Sequence, residues 1–421
     1  MPEAIEISID KRKINIPSAP SYENICRYAL IILCALIAVS APLYWILANP
    51  PEFISLEKRY RAQWPAVTGD TFLSGRWGER VETWMADHMP AREFYVGIDS
   101  YIWYASGRQA ARDVIVDGDG NLLEEPPAYS PEELRKRLDK IGGFVKSIAV
   151  PTVILTPLNA GYVAQLPPRL ARSYEDGEIA GAINAYVDGL KTEGTDIAYT
   201  DLGSVFTGSD EQLYYRTDHH WNGEGAYTAY AALGDALGYT PFPREYFTIE
   251  EHEGFYGSTY AKSGLWLTRP DTISFWAPPD PVRVTVMDAG KEPDIRDSFF
   301  FNEYLSDWDM YSAFLGGIHG LTLIENMAAG AAAGPTLYVI KDSYANSLIP
   351  LLSAHYNRIV AVDLRYYRGA ISELYNEYNP AGADSAAGDN ATDTVTTADA
   401  AILFVYSMNH IVNDPDIMWL R

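Results

Sequence analysis

"TLYVIKDSYANSLIPLLSAHYNRIVAVDL" (residues 336–364) decides how the chain is read. TLYVI and RIVAVDL are short runs of apolar and β-branched residues, and between them SLIPLLSAHY has the apolar spacing of a helix. Neither strand shows a polar face, so both belong to a parallel sheet buried on two sides. The alternation continues outward. Upstream, PEELRKRLDKIGGFVKSI predicts a helix opened by Ser130-Pro131, TVILTP a strand, GEIAGAINAYVDGLKTEG a helix and DIAYTDL a strand. Downstream, AISELYNEY predicts a helix and AILFVY a strand. The fold class is α/β, with a parallel sheet covered by helices on both faces.

The chain has 421 residues, enough for one large α/β domain with additions. Hydrophobic residues at 48% and charged residues at 21% describe a globular protein. A net charge of -24 argues against binding nucleic acid or an anionic lipid surface. The stretch YALIILCALIAVSAPLYWILA carries no charge and has the length of a membrane span, with Tyr44 and Trp45 as interfacial anchors. Lys11, Arg12, Lys13 and Arg27 precede it, against Lys58, Arg59 and Arg61 after it, which sets the C-terminal part outside the cytoplasm. Both cysteines, Cys26 and Cys34, lie in or beside this stretch, so no disulfide framework is expected. The expected organisation is a cytoplasmic tail 1–27, a transmembrane helix 28–48, a helical stem and hairpin 49–125, and an α/β domain 126–421. That domain holds an aromatic insertion, 250–330, and a flexible loop, 379–399. In the stem, Trp77, Val81, Trp84 and Met85 have helical spacing up to Pro90. DVIVDGDGNLL reads as a hairpin; a calcium loop would need a carboxylate where Ala128 stands.

RTDHHWNGEG (216–225) places His219 and His220, of seven histidines in all, behind Asp218 and ahead of Trp221. In an extended segment alternate side chains share a face. Asp218 and His220 are then neighbours and His219 points the other way. A carboxylate beside one imidazole nitrogen fixes the tautomer and leaves the second nitrogen as a base. Asn222 is placed to cap a helix through GEGAYTAYAALGDAL. Ser343 follows a buried strand and opens a helix, the position from which open α/β sheets present their sites, and its N–H with the helix terminus could stabilise an oxyanion. The plainer role for Asp342 and Ser343 is to cap that helix. Asp-His-His also occurs in metal sites, but the other histidines are scattered without ligand spacing, so no metal is expected.

TDHHWNGEGAY resembles the signature of the DHHW protein family, which is similar to the SGNH-hydrolase-like domains of the alginate O-acetylation proteins. FLSGRWGERVETWMADHMPARE, YSAFLGGIHGLTLIEN and LYVIKDSYANSLIPLLSAHYNRIVAVDLRYY resemble the same family. The resemblance implies a three-layer SGNH-hydrolase-like domain with permuted motif order, Asp218 and His220 preceding the nucleophile Ser343. By positional analogy Arg365 and Asn409 stand where oxyanion donors are expected, although no Gly-x-Asn-Asp block exists. Tyr256 and Ser258 are further substrate candidates, and Trp221 and His219 are assigned structural support. The implied function is a single-pass, membrane-anchored, extracytoplasmic serine O-acetyltransferase or acetylesterase acting on a cell-surface polysaccharide. It needs no cofactor, and as a transferase it needs a multispanning membrane partner that delivers acetyl groups. The aromatic residues of 250–330, among them Trp266, Trp276 and Trp308, suit either a glycan groove or a core. The rival expectation is a non-catalytic scaffold that binds a polysaccharide during assembly or export.

Overall fold

The computed structural model describes residues 22–47, 51–54, 59–108, 110–126, 128–166, 174–307, 309–328, 334–379 and 400–421. The tail before Tyr22, Trp308 and all of the 379–399 loop but Asn379 lie outside the described residues. The chain divides into two compact units, one of Met1–Ile54 with Arg59–Arg92 and one holding Glu93–Arg421.

In the first unit the apolar stretch forms a helix, Tyr22–Leu47, with Leu30, Ile31, Leu36 and Val39 exposed. Among the described residues no helix is long and apolar enough to cross a membrane. The expected transmembrane helix, 28–48, is thus not found among the described residues, where its uncharged run forms a helix. The stem helix is Arg76–Asp87, and Trp64 packs edge-on against its Trp77 and Trp84.

The second unit is built on an eight-stranded sheet. In chain order its strands are β1 (Thr152–Leu155), β2 (Ile197–Thr200), β3 (Val282–Met287), β4 (Asp294–Arg296), β5 (Leu321–Asn326), β6 (Thr336–Lys341), β7 (Arg358–Val362) and β8 (Ala400–Val405). They lie in the order β4-β3-β5-β7-β6-β8-β1-β2. The run β7-β6-β8-β1-β2 is parallel and consists of the strands read from the sequence. The expectation of a wholly parallel sheet is corrected on its other side, where β4, β3 and β5 run antiparallel and β5 pairs antiparallel with β7. These three strands come from the region taken as an insertion, which therefore extends the central sheet. The physical reason lies in β3, VRVTVM, whose alternate valines are buried while Arg283 is exposed. An antiparallel edge tolerates a wetted face, whereas β6 is buried at every position, as a parallel strand between helices must be.

The helices are α1 (Pro131–Ile148), α2 (Asp176–Thr192), α3 (Gly223–Leu237), α4 (Ala345–Leu352), α5 (Ile371–Tyr378) and α6 (Met408–Asn413). Ser130 caps α1 and Asn222 caps α3, the Asn222 side chain accepting from the Gly225 N–H at 3.0 Å. Gly238 ends α3 with a positive φ of 75°. The fully buried face of α4 packs against α3. DVIVDGDGNLL is a hairpin, Val114–Val116 against Leu122–Glu124. A second hairpin, Thr248–Phe255 with Asp271–Ala277, carries Phe255, Ile273 and Phe275 into an aromatic cluster with Tyr215, Tyr311 and Phe314. Most described aromatic side chains of 250–330 are thus used in packing. Trp276 is buried, and the partly exposed Trp266 stacks on Phe94 at 6.2 Å.

Candidate active site

Strand β6 delivers its last residue, Lys341, to the carboxyl edge of the sheet, and Asp342 and Ser343 form the turn into α4. On one side, β7 ends near Asp363 and Arg365. On the other, β8 ends before Tyr406, Ser407 and α6. Above this edge comes the segment 216–222, held by an isolated bridge between Tyr214 and Trp221 and by the capped start of α3.

The segment brings three groups into line. His220 Nδ1 is 2.5 Å from Asp218 Oδ1, and His220 Nε2 is 2.8 Å from Ser343 Oγ. A carboxylate only accepts, so Nδ1 carries the proton and Nε2 is left to accept from the serine hydroxyl. Asp218 is held from several directions. The His220 N–H donates to Oδ1 at 2.9 Å, and the Ser258 N–H and hydroxyl donate to Oδ2 at 2.6 and 3.1 Å. Burial works to raise the Asp218 pKa, but the imidazoles of His220 and His219 and these hydrogen bonds outweigh it and hold the carboxyl well below its usual range. Burial, with His219 adding to it, pushes His220 down to about 4 against the pull of Asp218. At neutral pH the site therefore holds an ionised carboxylate, a neutral imidazole and a serine hydroxyl in one chain of hydrogen bonds.

The surroundings of that chain were only partly legible. His219 does not point away, as an extended segment would require. The 216–220 stretch is a series of bends, so the two imidazoles lie with ring centroids 3.9 Å apart and His219 Nδ1 sits 2.7 Å from Ser258 Oγ. Trp221 is fully buried, and its indole N–H donates to Ser347 Oγ on α4 at 2.8 Å, which ties the histidine segment to the helix behind the serine. Ser258 reaches the cluster through Asp218. Tyr256 does not join it, its hydroxyl donating to the Thr268 carbonyl at 3.2 Å. Arg365 is gripped by Asp363 through Nε at 2.9 Å and Nη2 at 2.6 Å, and its Nη1 lies 3.4 Å from His410 Nε2. Asn409 lines two adjoining cavities of about 190 and 710 Å³ that share Glu124, Asn409 and His410; His219 and Tyr344 line the smaller one.

Tyr311 escaped the sequence reading. Its ring stacks on His220 at 3.9 Å and 10°, and its hydroxyl donates to the Ser343 carbonyl at 3.2 Å. Nothing in YSAFLGGIHG marks it, because that contact is made by a tertiary approach. Asp342 and His410 were also missed as a pair: Asp342 Oδ2 lies 3.0 Å from His410 Nδ1 and accepts from the Ser407 N–H at 2.7 Å. Asp218, His219 and His220 lie within 4.8 Å of one another, the spacing of a metal cluster. Their facing atoms are already engaged with each other, with Ser343 and with Ser258.

An α/β sheet with a hydrogen-bonded Asp-His-Ser array at its carboxyl edge makes up a class of site able to support nucleophilic serine chemistry. Within that class the chain resembles the DHHW protein family, which matches residues 199–362 and so takes in Asp218, His220 and Ser343. A DHHW family protein from Eubacterium siraeum is similar in structure with a TM-score of 0.58 at 19% identity, over 74% of this chain and 95% of that one. Bacillus cereus PatB1 with a sulfonyl adduct gives a TM-score of 0.56 at 18% identity, over 73% and 98%. The O-acetyltransferase domain of Pseudomonas putida AlgJ gives 0.41 at 14%, over 72% and 96%. At these identities the first two share the fold with this chain. No curated protein matches the chain.

The tightest constraint on the array is Gly257, where a Cβ would fall 2.1 Å from the Asp218 Cβ and 2.2 Å from its Oδ2. Gly257→Ala is expected to push Asp218 off His220 and to lower serine reactivity by about 100-fold. Turnover of an acetyl ester, with a thermal melt as the folding control, checks it; a variant as active as the parent would show that Asp218 does not orient His220.

Proposed function

We propose that the protein is a serine-dependent O-acetyltransferase or acetylesterase acting on a cell-surface polysaccharide. The observation that carries this is the continuous hydrogen-bonded path from Asp218 through His220 to Ser343. Support comes also from the resemblance to the DHHW family and, through it, to the alginate O-acetylation proteins.

In this reading His220 Nε2 takes the Ser343 proton as Oγ attacks the acetyl carbonyl. Asp218 stays ionised and stabilises the imidazolium that forms. Collapse of the tetrahedral intermediate expels the donor's oxygen, which takes the proton back from His220, and leaves an acetyl ester on Ser343. A sugar hydroxyl, or water, then attacks that ester with His220 again as base, returning the serine. Stacking of Tyr311 on His220 keeps the ring from turning, and its burial holds the phenol well above its usual pKa, so it stays a neutral donor to the Ser343 carbonyl. Near-complete burial of the array favours transfer to a positioned hydroxyl over loss to water. A transferase working outside the cytoplasm takes its acetyl group from a membrane partner. We place the domain on the extracytoplasmic side of the cell membrane, attached through Tyr22–Leu47, whose exposed apolar side chains support attachment.

The purified protein is expected to hydrolyse a small acetyl ester and to be labelled at Ser343 by an aryl sulfonyl fluoride. Ser343→Ala and His220→Ala should each remove at least ~1000-fold of the hydrolysis. A parent chain inert to both reagents would instead favour the polysaccharide-binding scaffold. The acid limb follows from His220. A base acts only when unprotonated, and a pKa lowered to about 4 keeps it so as the pH falls, so kcat/KM should hold through pH 6.5 and decline only toward pH 4. A limb centred at 6.5 would show that burial does not govern this histidine. For location, deleting residues 1–47 should move the protein from the membrane to the soluble fraction; a full chain already soluble would refute the attachment.

A further inference from the structure

Next to the array stands a second carboxylate–imidazole pair that the mechanism above does not use. Asp342, fully buried, is the residue before Ser343. Its N–H donates to the Val405 carbonyl at 2.9 Å, and its Oδ1 accepts from the Tyr344 N–H at 3.0 Å. Its Oδ2 accepts from the Ser407 N–H at 2.7 Å and lies 3.0 Å from His410 Nδ1 as an ion pair. Ser407 caps α6 and its hydroxyl oxygen is 3.0 Å from the same His410 nitrogen. The contacts of Asp342 join the turn that carries Ser343 to itself, to the end of β8 and to the start of α6.

We propose that His410 is a positioning residue: through Asp342 it clamps the nucleophile turn to the end of β8 and so fixes where Ser343 Oγ stands relative to His220. The inference rests on the serine-dependent reading above. It follows from where the charges lie. A carboxylate with no exposure is costly unless it is paired and hydrogen-bonded, and His410 is the titratable cation on it. Charge-assisted bonds are roughly twice as strong as neutral ones, so a protonated His410 holds Asp342, and with it the turn, more firmly than a neutral one.

The groups facing His410 decide how it titrates. Asp342 comes from the turn after β6, Arg365 and its partner Asp363 from the end of β7, and Asp414 from the end of α6. Glu124 lines the same two cavities. Burial works against the charge and Arg365 opposes it, but the bond to Asp342 prevails and His410 is raised above its ordinary 6.5. Ser343 reactivity should therefore fall as the pH rises through the His410 transition, while the acid limb belongs to His220. This clamp is distinct from catalysis, because His410 touches neither Ser343 nor His220 among the described contacts.

The test is the rate of Ser343 sulfonylation by an aryl sulfonyl fluoride against pH, in the full chain. For the unsubstituted protein, the His410 ring is followed in parallel by NMR. The expected result is an alkaline decline whose midpoint coincides with the His410 transition, above pH 6.5. His410→Gln, folded as judged by its melt, should label roughly tenfold more slowly at the optimum and lose that decline. An alkaline decline that does not coincide with the His410 transition overturns the proposal without needing a variant. So does a His410→Gln protein with the parent's rate and pH profile, and in both cases the serine-dependent reading survives. A parent protein that is not labelled at all at Ser343 sinks that reading, and the clamp with it.

Discussion

Asp218 is a carboxylate at 3% exposure in a domain that must keep it ionised. A buried charge left without partners would cost several kcal/mol, so the surrounding structure is obliged to supply donors, and it draws them from separate parts of the chain. His220 gives its ring and backbone N–H. Ser258, which follows the 248–255 strand of the second hairpin, gives its N–H and hydroxyl. Because Ser258 must arrive at Asp218, the hairpin must close over the sheet edge, and Gly257 must lack a side chain for that approach to occur. The hairpin's inner residues, Phe255, Ile273 and Phe275, then become core.

The same logic holds one strand away. Asp342 is buried under the serine it precedes, and its partners come from the end of β8 and from α6. Two buried carboxylates, each with its own histidine, thus flank Ser343. The central strands are buried on both faces and leave few ways to satisfy a charge except at their carboxyl ends, where loops converge. The site lies where the sheet leaves room for charge.

This arrangement also accounts for the aromatic richness of the chain. Tyr311 covers one face of His220, Trp221 anchors the histidine segment to α4 through Ser347, and Tyr344 donates its hydroxyl to the His219 carbonyl at 2.5 Å. Each ring supplies apolar bulk that excludes water and, where needed, a polar atom that meets a buried partner. Excluding water is what allows a neutral imidazole and an ionised carboxylate to face one another without competition from solvent.

By itself the sequence determined the parallel strands, because short apolar and β-branched runs alternating with helical stretches suit a sheet covered on both faces. It determined the capped start of α3 and offered Asp218, His220 and Ser343 as candidates, because Asp-x-His spacing and a serine between strand and helix are local signals, while their meeting across 123 residues is not. Tertiary structure alone decided the antiparallel extension by β3, β4 and β5, since a strand's partner is chosen by what remains uncovered and not by its own pattern. It decided that His219 stacks beside His220, because bends rather than an extended backbone carry that segment. It also decided the contacts of Tyr311, Ser258, Asp342 and His410. These residues lie far apart in the chain from the groups they serve, save Asp342, and their contacts exist only because buried charge at the sheet edge must find donors wherever the fold brings them.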